Sequence, residues 1–192
     1  MQLLQSDNVA RDAPTEEELV VRAKGGDRAA FADLYEMHLD RVFRYFFYRT
    51  GHRQDAEDLT EQVFLKAWQA IPTYNHRGAP FSAWIFRIAH NLLIDHRRRQ
   101  RETVPLDEEL EIEDAGSEPG ELASRRAEAR ELAQALARLS PQEQSVVVLR
   151  FVERLDHRTV ANIIGKSEVA TRSILSRALT RLERTLSAAQ RR

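Results

Sequence analysis

The chain has 192 residues, 31% of them charged and 42% hydrophobic, no cysteine, and a formal net charge of −1. Without cysteine there are no disulfides and no cysteine-ligated zinc, which suits a reducing compartment. No apolar run approaches the roughly 18 residues of a membrane span, and Met1 to Ala13 lacks the charged-then-apolar pattern of a secretion signal, so a cytoplasmic protein of one medium or two small domains with no membrane insertion is expected.

Residues 1–14 read as a disordered N-terminal tail. Thr15, with Glu18 three residues on, has the spacing of a capping box. The helix it starts carries Leu19, Val20 and Ala23 and stops at Gly25-Gly26. Asp27 caps a second helix with apolar positions at Phe31, Leu34, Tyr35, Leu39, Val42, Phe43 and Phe46, ending at Thr50-Gly51. A third is expected from about Asp55 to Ile71, with a stripe of Ala56, Leu59, Val63 and Ala67, and Pro72 stops it. After a polar loop, Thr73 to Pro80, a fourth helix runs from Phe81 to about Arg99 with Phe81, Ile85, Ile88 and Leu92 inward. Glu102 to Gly120 lacks periodicity and reads as a flexible linker. Beyond it, helices are expected at Glu121 to Leu139, from Ser140-Pro141 through Phe151, at Asp156 to Ile164 and at Glu168 to Leu186. Ser140-Pro141-Gln142-Glu143 combines a cap, a proline at the first helical position and a closing glutamate. No strand pattern occurs. The predicted fold is all-α: two small helical domains joined by a flexible acidic linker.

The near-zero net charge hides an uneven distribution. Glu102 to Glu121 holds nine acids and no Lys or Arg; Leu122 to Arg192 holds 14 Lys plus Arg against 7 Asp plus Glu, a balance of +7. Two halves compatible with nucleic acid are therefore linked by an acidic strap, although a charge run by itself also fits a solvated surface.

Three patterns carry chemistry. Near the C-terminus, Val160, Ala161, Ile163 and Ile164 lead to Gly165, and Ser167 caps a helix with Ile174, Leu175, Ala178 and Leu182 on one side and Arg172, Ser173, Ser176 and Arg177 towards the other. That pattern fits a helix-turn-helix whose second helix enters the major groove, and it equally fits an ordinary helical hairpin. The run Arg97-Arg98-Arg99-Gln100-Arg101 suits phosphate contacts and also the negative end of a helix dipole. Trp84, Arg87 and Asn91 share a helix flank, an arrangement able to stack on and hydrogen-bond an unpaired base, while a core tryptophan and a solvated asparagine explain the same residues. The six histidines lack metal-ligand spacing, and no phosphate-binding loop or glycine-flanked nucleophile occurs. No enzyme activity, metal or cofactor is expected.

In this order the pieces resemble the extracytoplasmic-function group of bacterial RNA polymerase sigma factors, in the sigma-70 family. The resemblance to region 2 lies in FADLY at 31–35, DAEDLTEQVFLKAW at 55–68, PFSAWIFRIAHNLLID at 80–95 and Arg97-Arg98. That to region 4 lies in LSPQEQSVVVLRF at 139–151, VANIIG at 160–165 and SEVATRSILSRALTRL at 167–182. It implies region 2 at 15–101, a linker at 102–120 and region 4 at 121–188. It also implies that Asp58, Glu61, Gln62 and Leu65 dock on core polymerase (β′ and β subunits), with Glu61-Gln62 transposed relative to the usual Gln-Glu. Tyr74, Asn75, Trp84, Arg87, Asn91, Arg97 and Arg98 would meet the −10 element of promoter DNA, and Asn91 and the 73–80 loop would take a flipped base. Arg150, Arg172, Ser173, Ser176 and Arg177 would meet the −35 element. Ile174 stands where the family commonly has a basic residue, and Arg158-Thr159 where it has acids. An anti-sigma factor is a further implied partner. The competing reading is a free-standing helix-turn-helix regulator; a hydrolase or metal enzyme is a distant third.

Overall fold

The computed structural model describes residues 14–75, 79–103 and 131–189, with the backbone alone for 101–103 and 186–189. The expected tail and acidic linker lie outside these residues apart from Pro14, Glu102 and Thr103. Every regular element among the described residues is helical.

Helix α1, Glu16–Lys24, starts at the capping box the spacing predicts. The Glu18 carboxylate accepts the Thr15 N–H at 2.8 Å and the Thr15 hydroxyl accepts the Glu18 N–H at 3.3 Å. The chain turns through Gly26 (φ 92°) into α2, Arg28–Thr50, whose Asp27 cap accepts the N–H groups of Ala29 and Ala30. Helix α3, Arg53–Ala70, begins two residues before Asp55. Asp55 therefore lies inside the first turn, where its charge suits the dipole, and it faces His96 at 3.4 Å. Pro72 ends α3 in a single 3₁₀ turn, Ile71–Thr73. Helix α4, Phe81–Thr103, runs past Arg99 into the first residues assigned to the linker.

These four helices share one core. Tyr45 and Phe46 of α2 are fully buried, and Tyr45 meets Phe86 of α4 edge-on with ring centroids 5.7 Å apart. Leu34, Leu59, Ile71 and Ile85 close the same interior.

The second group is built from α5 (residues 131–137), α6 (Pro141–Val147), α7 (His157–Ile164) and α8 (Glu168–Ala189). The start expected for α5 at Glu121 lies outside the described residues. Ser140 and Glu143 form the predicted capping box of α6. The single helix expected through Phe151 is not what forms: the backbone widens into a π turn at Val148–Val152. Val148 and Leu149 stay in the core while Phe151 is 52% exposed. Arg154 then reverses the chain at φ 55°, and the Arg150 guanidinium donates to the Leu155 carbonyl at 3.0 Å.

Gly165 joins α7 to α8 at φ 65°, with open space where a Cβ would stand. The left-handed backbone alone then sets the cost of a side chain there. Gly165→Ala is expected to lower stability by about 1 kcal/mol without changing the slope of a urea unfolding curve; an unchanged midpoint would show that the turn tolerates a side chain.

Candidate nucleic-acid interface

The α7–turn–α8 unit is a helix-turn-helix built from local signals. Asp156 accepts the Thr159 N–H at 2.9 Å at the start of α7, the Lys166 N–H returns to the Ala161 carbonyl at 3.0 Å, and the Ser167 hydroxyl accepts the Ala170 N–H at 3.2 Å. Ile174, Leu175 and Ala178 of α8 are buried. Arg172, Ser173, Ser176 and Arg177 are exposed. Among the described residues Arg172 makes a solvent-facing pair with Glu168 at 3.3 Å, an interaction of little strength that a base or phosphate can replace. Arg177 Nε donates to the Ser173 carbonyl at 3.4 Å. Ile174, 5% exposed, belongs to the core side of α8, away from this face. Arg150 stands apart as well, half-buried on the Leu155 carbonyl.

Helix α8 is seated by Glu143, whose carboxylate takes Arg181 at 3.1 Å while also closing the α6 cap. Burial works to raise the Glu143 pKa, yet the Ser140 N–H and hydroxyl, with Arg181 and Arg177, hold it below the usual carboxylate range.

In the first helical group, Arg87 and Asn91 are exposed on α4 and Trp84 is half-buried beside them. The Trp84 ring lies 4.7 Å from Tyr74 and 5.3 Å from Phe81. Tyr74 is 7% exposed and donates to the Ala79 carbonyl at 3.4 Å, so it forms a floor beneath Trp84 rather than a free contact. Asn75 is exposed; residues 76–78 lie outside the described ones.

Asp58, Glu61, Gln62 and Leu65 are all exposed on α3, at the spacing that makes one stripe. Leu65 is 58% exposed, whereas Leu59, Val63 and Phe64 face the core.

The two helical groups touch, and sequence reading misses the residues responsible. Arg41 of α2 donates from Nε to the Glu153 carboxylate at 3.0 Å and from Nη2 to the Glu153 carbonyl at 3.2 Å. Arg49, 4% exposed, donates to the Ser145 hydroxyl at 2.6 Å. Arg97 donates to the Arg49 carbonyl at 2.7 Å and to the Gln144 side chain at 2.9 Å, so in this arrangement it bridges the groups, while Arg98 is exposed and pairs with Asp95 at 3.4 Å. One signal was available: Arg49 continues the stripe of Val42, Tyr45 and Phe46 at helical spacing. Among the described residues no cluster of three or more metal-ligating side chains occurs, and no helix is long and apolar enough to cross a membrane.

Comparison with known proteins agrees with this division. The family description Sigma-70 region 2 matches residues 34–103, and Sigma-70, region 4 matches residues 135–184. The chain is 38% identical over 171 residues to the ECF RNA polymerase sigma factor BldN of Streptomyces coelicolor, covering 88% of this chain and 65% of BldN. It is 29% identical to the RNA polymerase sigma factor YlaC of Bacillus subtilis, covering 83% of this chain and 94% of YlaC. Among solved structures, CnrH in complex with the cytosolic domain of CnrY shares the fold at a TM-score of 0.70 and 24% identity, over 88% of this chain and 96% of that one. The chain belongs to the sigma-70 family, in its extracytoplasmic-function group.

The contact between the groups has a measurable electrostatic cost. Burial raises the Glu153 pKa, and Arg41 opposes that rise. A carboxyl whose folded pKa lies above its unfolded value binds more protons folded than unfolded, so its penalty is present above the folded pKa and is relieved as pH falls towards the unfolded one. Arg41→Met strands the Glu153 charge and is expected to cost about 2 kcal/mol at pH 7.5, a loss that shrinks as pH approaches 5. A loss independent of pH in parallel denaturation series would mean that Glu153 is not the group affected.

Proposed function

We propose that this chain is a promoter-recognition subunit, binding core RNA polymerase and directing it to specific promoters for initiation. Region 2 captures and opens the −10 element and region 4 reads the −35 element. One observation carries the reading: a helix-turn-helix with an exposed Arg-Ser face shares a chain with a second helical group that offers an indole–guanidinium–amide flank and a separate exposed stripe. A free-standing regulator has use for the first and none for the last. The relatives named as ECF RNA polymerase sigma factors support it.

Each surface has a role in this reading. Asp58, Glu61, Gln62 and Leu65 meet core polymerase, with Leu65 supplying apolar area. Trp84 offers a ring for stacking, Arg87 meets phosphate, and Asn91 hydrogen-bonds a base that has left the stack. Asn75, Arg97 and Arg98 complete the −10 contacts, with Tyr74 supporting Trp84 from below. Arg172 and Arg177 reach base edges or phosphate from α8, Ser173 and Ser176 bond beside them, and Arg150 acts by fixing the turn before α7. The protein works in the cytoplasm, where polymerase and promoter DNA are. An anti-sigma factor is a natural partner: RpoE of Bartonella quintana was solved in complex with the anti-sigma factor NepR.

Copurification with core polymerase tests the reading. Asp58→Arg and Leu65→Ala are each expected to weaken core binding about tenfold with the melting temperature unchanged, since both side chains are exposed. Unchanged affinity in both variants would remove this surface from the interface.

Base reading and phosphate binding separate along α8. Arg172→Ala is expected to cost about 1–3 kcal/mol on the preferred −35 sequence and less on mismatched ones, whereas Arg184→Ala weakens all sequences alike and fades as salt rises. Holoenzyme affinities across single-base −35 variants at two salt concentrations provide the measurement. A uniform loss for Arg172→Ala would put a different face of α8 in the groove.

A further inference from the structure

The geometry points to a ligand site that shares Arg97 and Arg98 with the proposed −10 surface: the cleft between the two helical groups binds a small organic phosphate, and the bound ligand holds the groups together. The cleft has a volume of about 630 Å³, within the range of small-molecule sites. Arg49, Arg97, Arg98 and Lys166 line it, and among the described residues no carboxylate does. Arg98 has its exposed pair with Asp95, which competes weakly.

Arg49 is the informative residue. It is 4% exposed, and its Nη1 donates to Ser145, but its Nε has no acceptor. An unsatisfied N–H on an enclosed cation is costly. Its neighbours record the same strain. Burial, with Arg49 and Arg97 adding to it, pushes the His90 pKa down to about 4, and burial brings Arg49 to about 9. An oxyanion seated among Arg97, Arg98 and Lys166 would offset the positive charge that surrounds Arg49 and His90.

Phosphate is the oxyanion that fits. It offers several acceptor oxygens and matches planar guanidinium donors, and three arginines line the cleft. The remainder of the lining explains why the ligand is organic: Leu93, Ile94, Pro141 and Ile164 form apolar walls against which a base or acyl group can lie. Single-stranded nucleic acid is a separate arm of the test.

The site takes residues from both groups, so its occupant favours the closed arrangement by mass action. In that arrangement α7 packs against both α4 and α8. Parting of the two groups to meet separate promoter elements is opposed by a ligand that bridges them.

The full chain without polymerase or promoter serves for the test, so the outcome is independent of promoter reading. Adenosine triphosphate and inorganic pyrophosphate are titrated by calorimetry at 0.15 M salt, about physiological ionic strength. Saturable one-to-one binding is expected, about fivefold or more tighter for the nucleotide because of the apolar walls. Lys166→Glu and Gln142→Glu, both exposed and both at the cleft, are expected to weaken it at least tenfold with unchanged helical content. A dye pair on cysteines introduced at Glu57 and Asn162, in a chain that has none of its own, should report fewer separated molecules on adding nucleotide. Absence of saturable binding, binding undiminished in both variants, stronger binding by a short single-stranded oligonucleotide, or binding without change in dye separation would each overturn the proposal.

Discussion

The packing of α2 against its neighbours is the constraint on which the rest depends. Tyr45 and Phe46 are wholly enclosed, with Phe86 of α4 against one ring and the α3 stripe of Leu59, Val63 and Phe64 completing the interior. Once those faces are inward, helical periodicity leaves Asp58, Glu61, Gln62 and Leu65 outward on α3, and Arg87 and Asn91 outward on α4. Neither exposed surface is specified by its own residues; both are the complement of one buried core.

The same helix reaches beyond its own bundle. Arg41 and Arg49 leave α2 towards the second group, the first for a buried carboxylate and the second for a hydroxyl. A core that ended with an apolar residue at position 49 would close more cheaply. The guanidinium there exchanges some stability for a polar joint, and such a joint can open into water more readily than an apolar one.

Local signals made much of this fold legible. Thr15 and Ser140 begin helices as their capping boxes require, Gly165 takes its left-handed turn, and the exposed face of α8 holds the arginines and serines that the apolar spacing of Ile174, Leu175 and Ala178 leaves outside. What failed was non-local. An α-helical reading through Phe151 counts residues evenly, but one extra residue in the π turn swings Phe151 outward, and only the packing of Val148 and Leu149 decides that. Tyr74 reads as an aromatic on a polar loop, yet it lies under Trp84 because helices distant in sequence leave a space there. Arg97 reads as one member of a phosphate-binding run; its tie to Gln144, 47 residues on, has no sequence signature.

Glu143 has a bearing on anyone who would rebuild this protein. Its single carboxylate closes the start of α6 and grips Arg181 on α8, so the proposed DNA-reading helix is tied to a residue buried behind it. A graft that moved only residues 168–177 onto another scaffold would carry the alphabet and leave behind the ruler. Retargeting by cassette exchange has to transfer the segment from Ser140 through Arg181 as one unit.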